Sequence, residues 1–341
     1  MVQPVILVVG PTASGKSALA AQLAARLGGE VISADAMAVY RGLEVGTAKP
    51  GPAELALAPH HLISVVEPDD RCDVARWLGL AEAVLRDLRS RDRVAVVAGG
   101  SPLYSKALVE GLTAGAPRDA AVRDRLNAAF EQDRAALWLE LQQLDPVYAA
   151  GRHPNDQRRI VRALEVIRLT GKPYSSFHTS DGVRRSDLRT LHLGLHWPKA
   201  ILHHRIAQRC AGMFQAGLVA EVAGLRGRLS PEASQAVGYK EVLNHLAGHC
   251  DLATAQQQVE LASRHLAKHQ LTWYRGMADL VWLPGDAADL ADRAEALARR
   301  FLAGGEILPD DPLSVRPPAP EPPPARRAGR AGQRDGAARP S

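Results

Sequence analysis

An apolar run, Val5-Ile6-Leu7-Val8-Val9, leads directly into Gly10-Pro11-Thr12-Ala13-Ser14-Gly15-Lys16-Ser17, and an Ala/Leu-rich stretch follows from Ser17 to Leu27. Those eight residues fit the G-x-x-x-x-G-K-[ST] pattern, set after a strand and opening a helix as a phosphate loop requires. In such a loop the backbone N–H groups and the helix N-terminus surround a diphosphate. Lys16 is then placed on terminal phosphate oxygens, and the Ser17 hydroxyl on a Mg2+ that bridges them. The pattern reports phosphate binding and leaves two chemistries open: a kinase or NTPase, and an enzyme that uses a diphosphate only as a leaving group.

The remaining periodicity builds an α/β fold around this loop. A short strand, Val31-Ile32-Ser33, ends at Asp35, and another, Val94 to Ala98, ends at Gly99-Gly100-Ser101; between them Val74–Arg91 has helical spacing. Continuous apolar strands alternating with helices predict a parallel sheet covered on both faces. From Pro117 to Arg189 the pattern becomes helical without clear strands: Asp119–Glu131, Arg134–Leu144, and a helix from Asn155-Asp156 to Leu169 stopped by Gly171 and Pro173. This predicts an all-helical insertion. Thr190–Leu195 returns the chain to the sheet. Helices are expected at Lys199–Gln215, Leu218–Arg228, Tyr239–Leu246 and Leu252–Met277, and Leu280–Leu283 reads as a further strand. The expected division is a phosphate-loop core at 1–116, the insertion at 117–189, the second part of the core at 190–308 and a disordered tail at 309–341.

Charge must be dissected before it is used. The net charge is +5, but residues 312–341 alone hold six arginines against Glu321 and Asp335. The basic excess therefore sits mainly in a Pro/Ala/Arg/Gly-rich tail that lacks apolar anchors to offset its ordering entropy. It reads as a solvated extension and does not argue for nucleic-acid binding. No apolar run approaches the roughly 18 residues of a membrane span, and Val5–Val9 has no charged leader. Cys72, Cys210 and Cys250 lie far apart without metal-ligand spacing. Both observations lead us to expect a cytoplasmic chain. His60-His61 is read as structural, because adjacent histidines project differently and no acids stand at ligand spacing. Trp273 and Tyr274 are read as packing residues.

A phosphate-loop NTPase ordinarily carries a strand ending in an acidic Mg2+ ligand. Val94–Ala98 ends without one, so Asp35 is the candidate acid. With Asp35 go further ordered blocks: Val39-Tyr40-Arg41-Gly42, Gly46-Thr47-Ala48-Lys49-Pro50, His60-His61-Leu62 and Gly99-Gly100-Ser101-Pro102-Leu103-Tyr104. Then come His153-Pro154-Asn155-Asp156 with Arg158-Arg159 and Arg162-Ala163-Leu164-Glu165-Val166, Ala236-Val237-Gly238-Tyr239-Lys240-Glu241, and Leu266-Ala267-Lys268 with Gln270, Thr272 and Trp273. On these motifs, over about residues 4–305, the chain resembles the tRNA dimethylallyltransferases, also called isopentenyl-tRNA transferases. The absence of a Cys/His finger after the core favours the bacterial type.

The resemblance implies transfer of a dimethylallyl group from dimethylallyl diphosphate to N6 of the adenosine immediately 3′ of the anticodon, in tRNAs reading codons that begin with U. Mg2+ is the implied cofactor, the tRNA anticodon stem-loop the implied partner, and a monomer the expected state. Asp35 matches the family's catalytic aspartate, which takes the N6 proton. Ser101 stands where the family has Thr and is carried over as catalytic. Arg209, in the Leu202–Met213 helix, matches the family's diphosphate-binding arginine. The implied tRNA-binding set is Asp35, Ala36, Met37, Ala38, Ser101, Arg123, Arg158, Arg159, Ile160, Val161, Arg162, Arg264 and Lys268. Ala36, Ala38, Pro102, His265 and His269 depart from the family's usual residues, which touches recognition of the RNA more than the phosphate loop. The runner-up is a phosphate-loop kinase of a small metabolite. A nonenzymatic RNA-binding module would explain the arginines but leave Gly10–Ser17 without purpose.

Overall fold

Every side chain of Val5–Val9 is buried, as a central strand between two helical layers demands. A computed structural model describes residues 2–112, 117–178 and 184–315. In chain order the elements begin with β1 (Gln3–Val9), α1 (Lys16–Leu27), β2 (Glu30–Ser33), α2 (Pro52–Leu57), β3 (His60–His61), α3 (Val74–Ser90), β4 (Ala95–Gly99) and α4 (Pro102–Glu110). The insertion contributes α5 (Ala120–Gln132), α6 (Arg134–Leu144), α7 (Pro146–Ala149) and α8 (Gln157–Thr170). The core resumes with β5 (Leu188–His196), α9 (Lys199–Gln215), α10 (Leu218–Gly224), α11 (Tyr239–Leu246), α12 (Leu252–Arg275), β6 (Leu280–Pro284) and α13 (Leu290–Leu302).

The six strands form one sheet in the order β3-β2-β4-β1-β5-β6, with every pairing parallel. Alternation along the strands separates two cores. Val5, Leu7, Val9, Ile32, Ala95 and Val97 face α3, α4, α10 and α11. Ile6, Val8, Val31, Val96, Leu191 and Leu193 face α1 and α13. From β1 the chain passes to β2 and the edge strand β3, returns to β4 between β2 and β1, and then crosses to β5 and β6 on the other side. The carboxyl ends beside β1, where the direction changes, form the crevice where open α/β sheets bind ligands.

The insertion has its own core of Leu126, Phe130, Leu137, Leu141, Ile160, Val161 and Leu164. Asp156 starts α8 by accepting from the Arg159 N–H, and Gly171, in the left-handed region at φ 67°, ends it.

Three differences from the sequence reading are physical. His60–His61 forms a two-residue edge strand, too short for periodicity to reveal; His61 Nε2 lies 2.6 Å from Glu30 Oε2. The expected Leu218–Arg228 helix stops at Gly224. The tail does not begin at 309: the Val315 N–H donates to the Trp282 carbonyl at 2.8 Å, Leu313 packs on the core, and Asp311 pairs with Arg300. Residues 316–341, which hold most of that expected tail, lie outside the described residues. No described helix is long and apolar enough to cross a membrane.

Candidate active site

β1 delivers the chain into the phosphate loop, and α1 leaves it through Gly15, whose φ of 89° places it in the left-handed region that glycine adopts without steric cost. The loop is braced from outside. Trp197 Nε1 donates to the Ser14 carbonyl at 2.9 Å, Arg205 Nε donates to the Ala13 carbonyl at 2.8 Å, and the Arg205 guanidinium lies 4.2 Å from the Trp197 ring centre. With carbonyls tied outward, the loop is preorganised for an anion. The Ser14 hydroxyl is buried and has no hydrogen-bond partner among the described residues, a group that a phosphate oxygen would satisfy.

Lys16 is buried, with Nζ 3.3 Å from the Pro11 carbonyl. Burial, and next the Arg209 guanidinium, pull its ammonium down to about 8, with Asp35 acting in the opposite direction. Arg209 reaches from α9 to donate Nη1 to the Thr12 hydroxyl at 2.8 Å and Nη2 to the Thr47 carbonyl at 3.1 Å. Burial lowers its pKa as well. Two desolvated cations therefore flank one loop, and a bound polyanion relieves both.

The carboxyl ends of β1, β2 and β4 open on one cavity of about 1020 Å³, open mouth included, bordered by Thr12, Lys16, Ser17, Asp35, Arg209 and Gln270. Met37, Ile63, Met213, Val237, Val259 and Leu266 give it an apolar side. A second opening, bordered by Gly15, Lys16, Ser17, Arg205, Gln208 and Arg209, reaches the same loop from its outer side.

Asp35 stands just beyond β2, whose end is anchored by Trp77 Nε1 donating to the Ser33 carbonyl at 2.9 Å. Its Oδ1 accepts the Met37 and Ala38 N–H groups at 2.9 and 3.3 Å, and Oδ2 has no hydrogen-bond partner among the described residues. One oxygen fixes the carboxylate and the other remains to accept a proton. Ser101 Oγ accepts the Ala36 N–H at 3.0 Å. Its hydroxyl thus holds the Asp35 turn while its own proton stays available to donate.

The residues implied to meet RNA separate into groups. Arg158 and Arg159 are exposed at the start of α8, where Arg159 pairs with Asp156 at 2.5 Å. Arg123 and Arg162 converge on Glu165, itself 0% exposed, at 2.7 and 2.8 Å; Arg162 also donates to the Pro117 carbonyl. Ile160 and Val161 are corrected: their side chains are 0% and 2% exposed in the insertion core, because the helical period turns the middle of that block inward. On α12, Arg264 pairs with Glu260 while Lys268 is exposed. Ala36 and Met37 are half-buried beside Asp35, and Ala38 is buried at the cavity wall. Trp273 is 42% exposed, not packed as expected, whereas Tyr274 is fully buried.

Sequence reasoning gave no role to Trp197, Arg205, Gln270 or Glu221. The last accepts the N–H groups of Glu44, Val45 and Gly46 at 2.7–3.1 Å and is also bonded by the Tyr239 hydroxyl, which shapes the loop that offers Thr47 to Arg209. Two carried a signal: Gln270 stands in the last block of the family resemblance, and Trp197 follows a strand at the carboxyl edge of the sheet.

A phosphate loop flanked by two desolvated cations, facing a carboxylate across a partly apolar cavity, is the framework of a phosphate-loop enzyme. A family model described as "IPP transferase" matches residues 38–277, and one described as "Isopentenyl transferase" matches residues 3–61. A tRNA dimethylallyltransferase of Halorhodospira halophila is 44% identical over 89% of this chain and 98% of its own length. One from Anaeromyxobacter dehalogenans is 44% identical over 85% and 98%. Among solved structures, the tRNA isopentenylpyrophosphate transferase of Bacillus halodurans superposes with a TM-score of 0.65 at 35% identity, covering 89% of this chain and 96% of that one. A eukaryotic dimethylallyltransferase acting on tRNA gives 0.78 at 27% identity, over 89% and 81%. The chain belongs to the IPP transferase family, and it is a prenyltransferase; nothing among these relatives favours the metabolite kinase.

Proposed function

We propose that the protein transfers the dimethylallyl group of dimethylallyl diphosphate to N6 of the adenosine immediately 3′ of the anticodon, in tRNAs reading codons that begin with U. The observation that carries this reading is the shared cavity. The loop and Asp35 border one space whose apolar side suits a branched five-carbon chain.

In the reaction the allylic C–O bond breaks, a C–N6 bond forms, diphosphate leaves, and the N6 proton passes to Asp35 Oδ2. Negative charge grows on the departing oxygens, so Lys16, Arg209 and the loop amides stabilise the transition state more than the bound donor. Adenine N6 is a weak nucleophile because its lone pair is delocalised. Asp35, aimed by its Met37 and Ala38 bonds, both orients the amine and accepts its proton.

Mg2+ fits the residues present. Among the described residues no group of three His, Cys, Asp or Glu is placed to hold a metal, whereas the Ser17 hydroxyl borders both openings beside the loop. In phosphate-loop enzymes the loop Ser/Thr hydroxyl is a Mg2+ ligand, and Mg2+ otherwise keeps several waters and substrate phosphates, so no cluster of acids is required to hold it here. When bound it neutralises charge on the leaving diphosphate.

The target base lies in a single-stranded loop and can be splayed into the cavity without breaking a pair. Arg158, Arg159 and Lys268 are exposed to meet the surrounding phosphates. Arg123 and Arg162 are held in fixed geometry by Glu165. The reading takes the enzyme as a cytoplasmic monomer.

The test is to incubate the protein with Mg2+, dimethylallyl diphosphate and unmodified tRNA reading codons that begin with U, then weigh the nucleosides. The expected product is an adenosine heavier by one C5H8 unit. Phosphorylation of a metabolite at the expense of ATP, without that product, overturns the reading.

A further inference from the structure

Gln270 sits on α12 with only 6% of its surface exposed, at the wall of the cavity. Its Oε1 accepts the Thr12 N–H at 2.8 Å, and its Nε2 donates to the Gly100 carbonyl at 2.7 Å. The partners fix the orientation of the carboxamide, since a backbone N–H can only donate and a carbonyl can only accept. Gly100 is fitted to this contact: a Cβ there would lie 2.5 Å from Gln270 Nε2 and 3.4 Å from Lys16 Nζ. Any side chain at 100 displaces the glutamine.

Each end of the carboxamide leads to a different half of the reaction. Thr12 belongs to the phosphate loop, and its hydroxyl receives Arg209. Gly100 precedes Ser101, whose N–H donates to the Ala34 carbonyl at 3.3 Å and whose Oγ holds the Ala36 N–H at 3.0 Å, on either side of Asp35. We infer that Gln270 is a positioning residue for the transfer: it sets the separation between the loop that grips the leaving diphosphate and the turn that carries the proton acceptor.

The physical reason is registration. Attack by N6 on the allylic carbon requires nucleophile, carbon and leaving oxygen to be held together, and a misplacement of about 1 Å costs on the order of 10²-fold in rate. A single rigid carboxamide spanning two backbones supplies that spacing. Glutamate at 270 keeps the bond from Thr12, loses the donor to Gly100, and adds a negative charge beside the departing diphosphate. Leucine is close in size and loses both bonds.

The inference rests on the transferase reading, and the experiment separates the two. Wild type, Gln270→Leu and Gln270→Glu are assayed by single-turnover prenyl transfer, with donor affinity measured by calorimetry, tRNA KM from steady-state rates, and melting followed in parallel. If wild type forms no prenyl-adenosine, the transferase reading itself fails. Given wild-type transfer, Gln270→Leu should slow the chemical step by ~10²-fold while donor and tRNA affinities change little. Gln270→Glu should lose a comparable factor in the chemical step and also weaken donor binding.

In an Asp35→Asn background the further loss from Gln270→Leu should be much smaller than in wild type, because the spacing acts through the Asp35 carboxylate that orients N6 and takes its proton. Wild-type chemical rates in either folded variant overturn the inference. So does a loss that multiplies fully with Asp35→Asn, which is the signature of a merely structural role. Should Gln270→Leu fail to fold, Gln270→Glu decides by the same comparison.

Discussion

Arg209 Nη1 donates to the Thr12 hydroxyl at 2.8 Å across 197 positions of chain, fastening α9 to the third residue of the phosphate loop. The guanidinium is half-buried, desolvated enough to lower its pKa, and borders both the cavity and the outer opening. A cation so placed is desolvated in advance and pointed at the charge that develops on the leaving group.

Arg209→Lys keeps the charge but loses the fork that reaches Thr12 and Thr47 together. We predict a fall of ~10²-fold in kcat/KM for the donor, with little change in tRNA KM. Steady-state rates with each substrate varied in turn decide it; an unchanged donor kcat/KM removes Arg209 from the diphosphate clamp.

Arg158 is exposed at the beginning of α8. Arg158→Glu should raise tRNA KM and make log affinity less steep in log salt, by about 0.7 per lost single-strand phosphate contact. Titrating labelled anticodon stem-loop over a salt series tests this, and a slope equal to wild type argues against RNA on that face.

Leu164 is 0% exposed in the core of the insertion. Leu164→Ala should cost about 2–5 kcal/mol of stability, read from denaturant unfolding. Its functional effect should fall on tRNA KM before donor KM, because the donor site is built from the sheet ends.

Glu30 joins Arg91, at 2.5 Å, and His61 at one corner of the sheet. The hydrogen bond from Arg91 holds its carboxyl down to about 2 against the opposing effect of burial, with His61 assisting. Because the folded value lies below the unfolded one, this stabilisation is complete above roughly pH 4.3 and is lost as pH falls toward about 2. Glu30→Gln should flatten the acid limb of the stability curve in that window. An identical acid limb in the variant contradicts the assignment.

The phosphate loop, β1 and α1 were legible because loop chemistry and apolar periodicity coincide within thirty residues. Strand ends carrying Asp35 and Ser101 were legible for the same reason. Gln270, Trp197, Arg205 and Glu221 were not, since each meets its partner across 258, 183, 192 and 177 or fewer positions and tertiary packing alone brings them there. Ile160 and Val161 show the opposite failure. A block carried over whole from the family hides the helical period, which alternates Arg158, Arg159 and Arg162 outward with an apolar pair inward.

The central claim is that Asp35 takes the N6 proton while the phosphate loop holds the leaving group. Single-turnover transfer by Asp35→Asn, run beside calorimetric binding of dimethylallyl diphosphate, tests it most directly. The account predicts donor affinity close to wild type and a chemical step slower by ~10²-fold or more; prenyl transfer at the wild-type rate would contradict it.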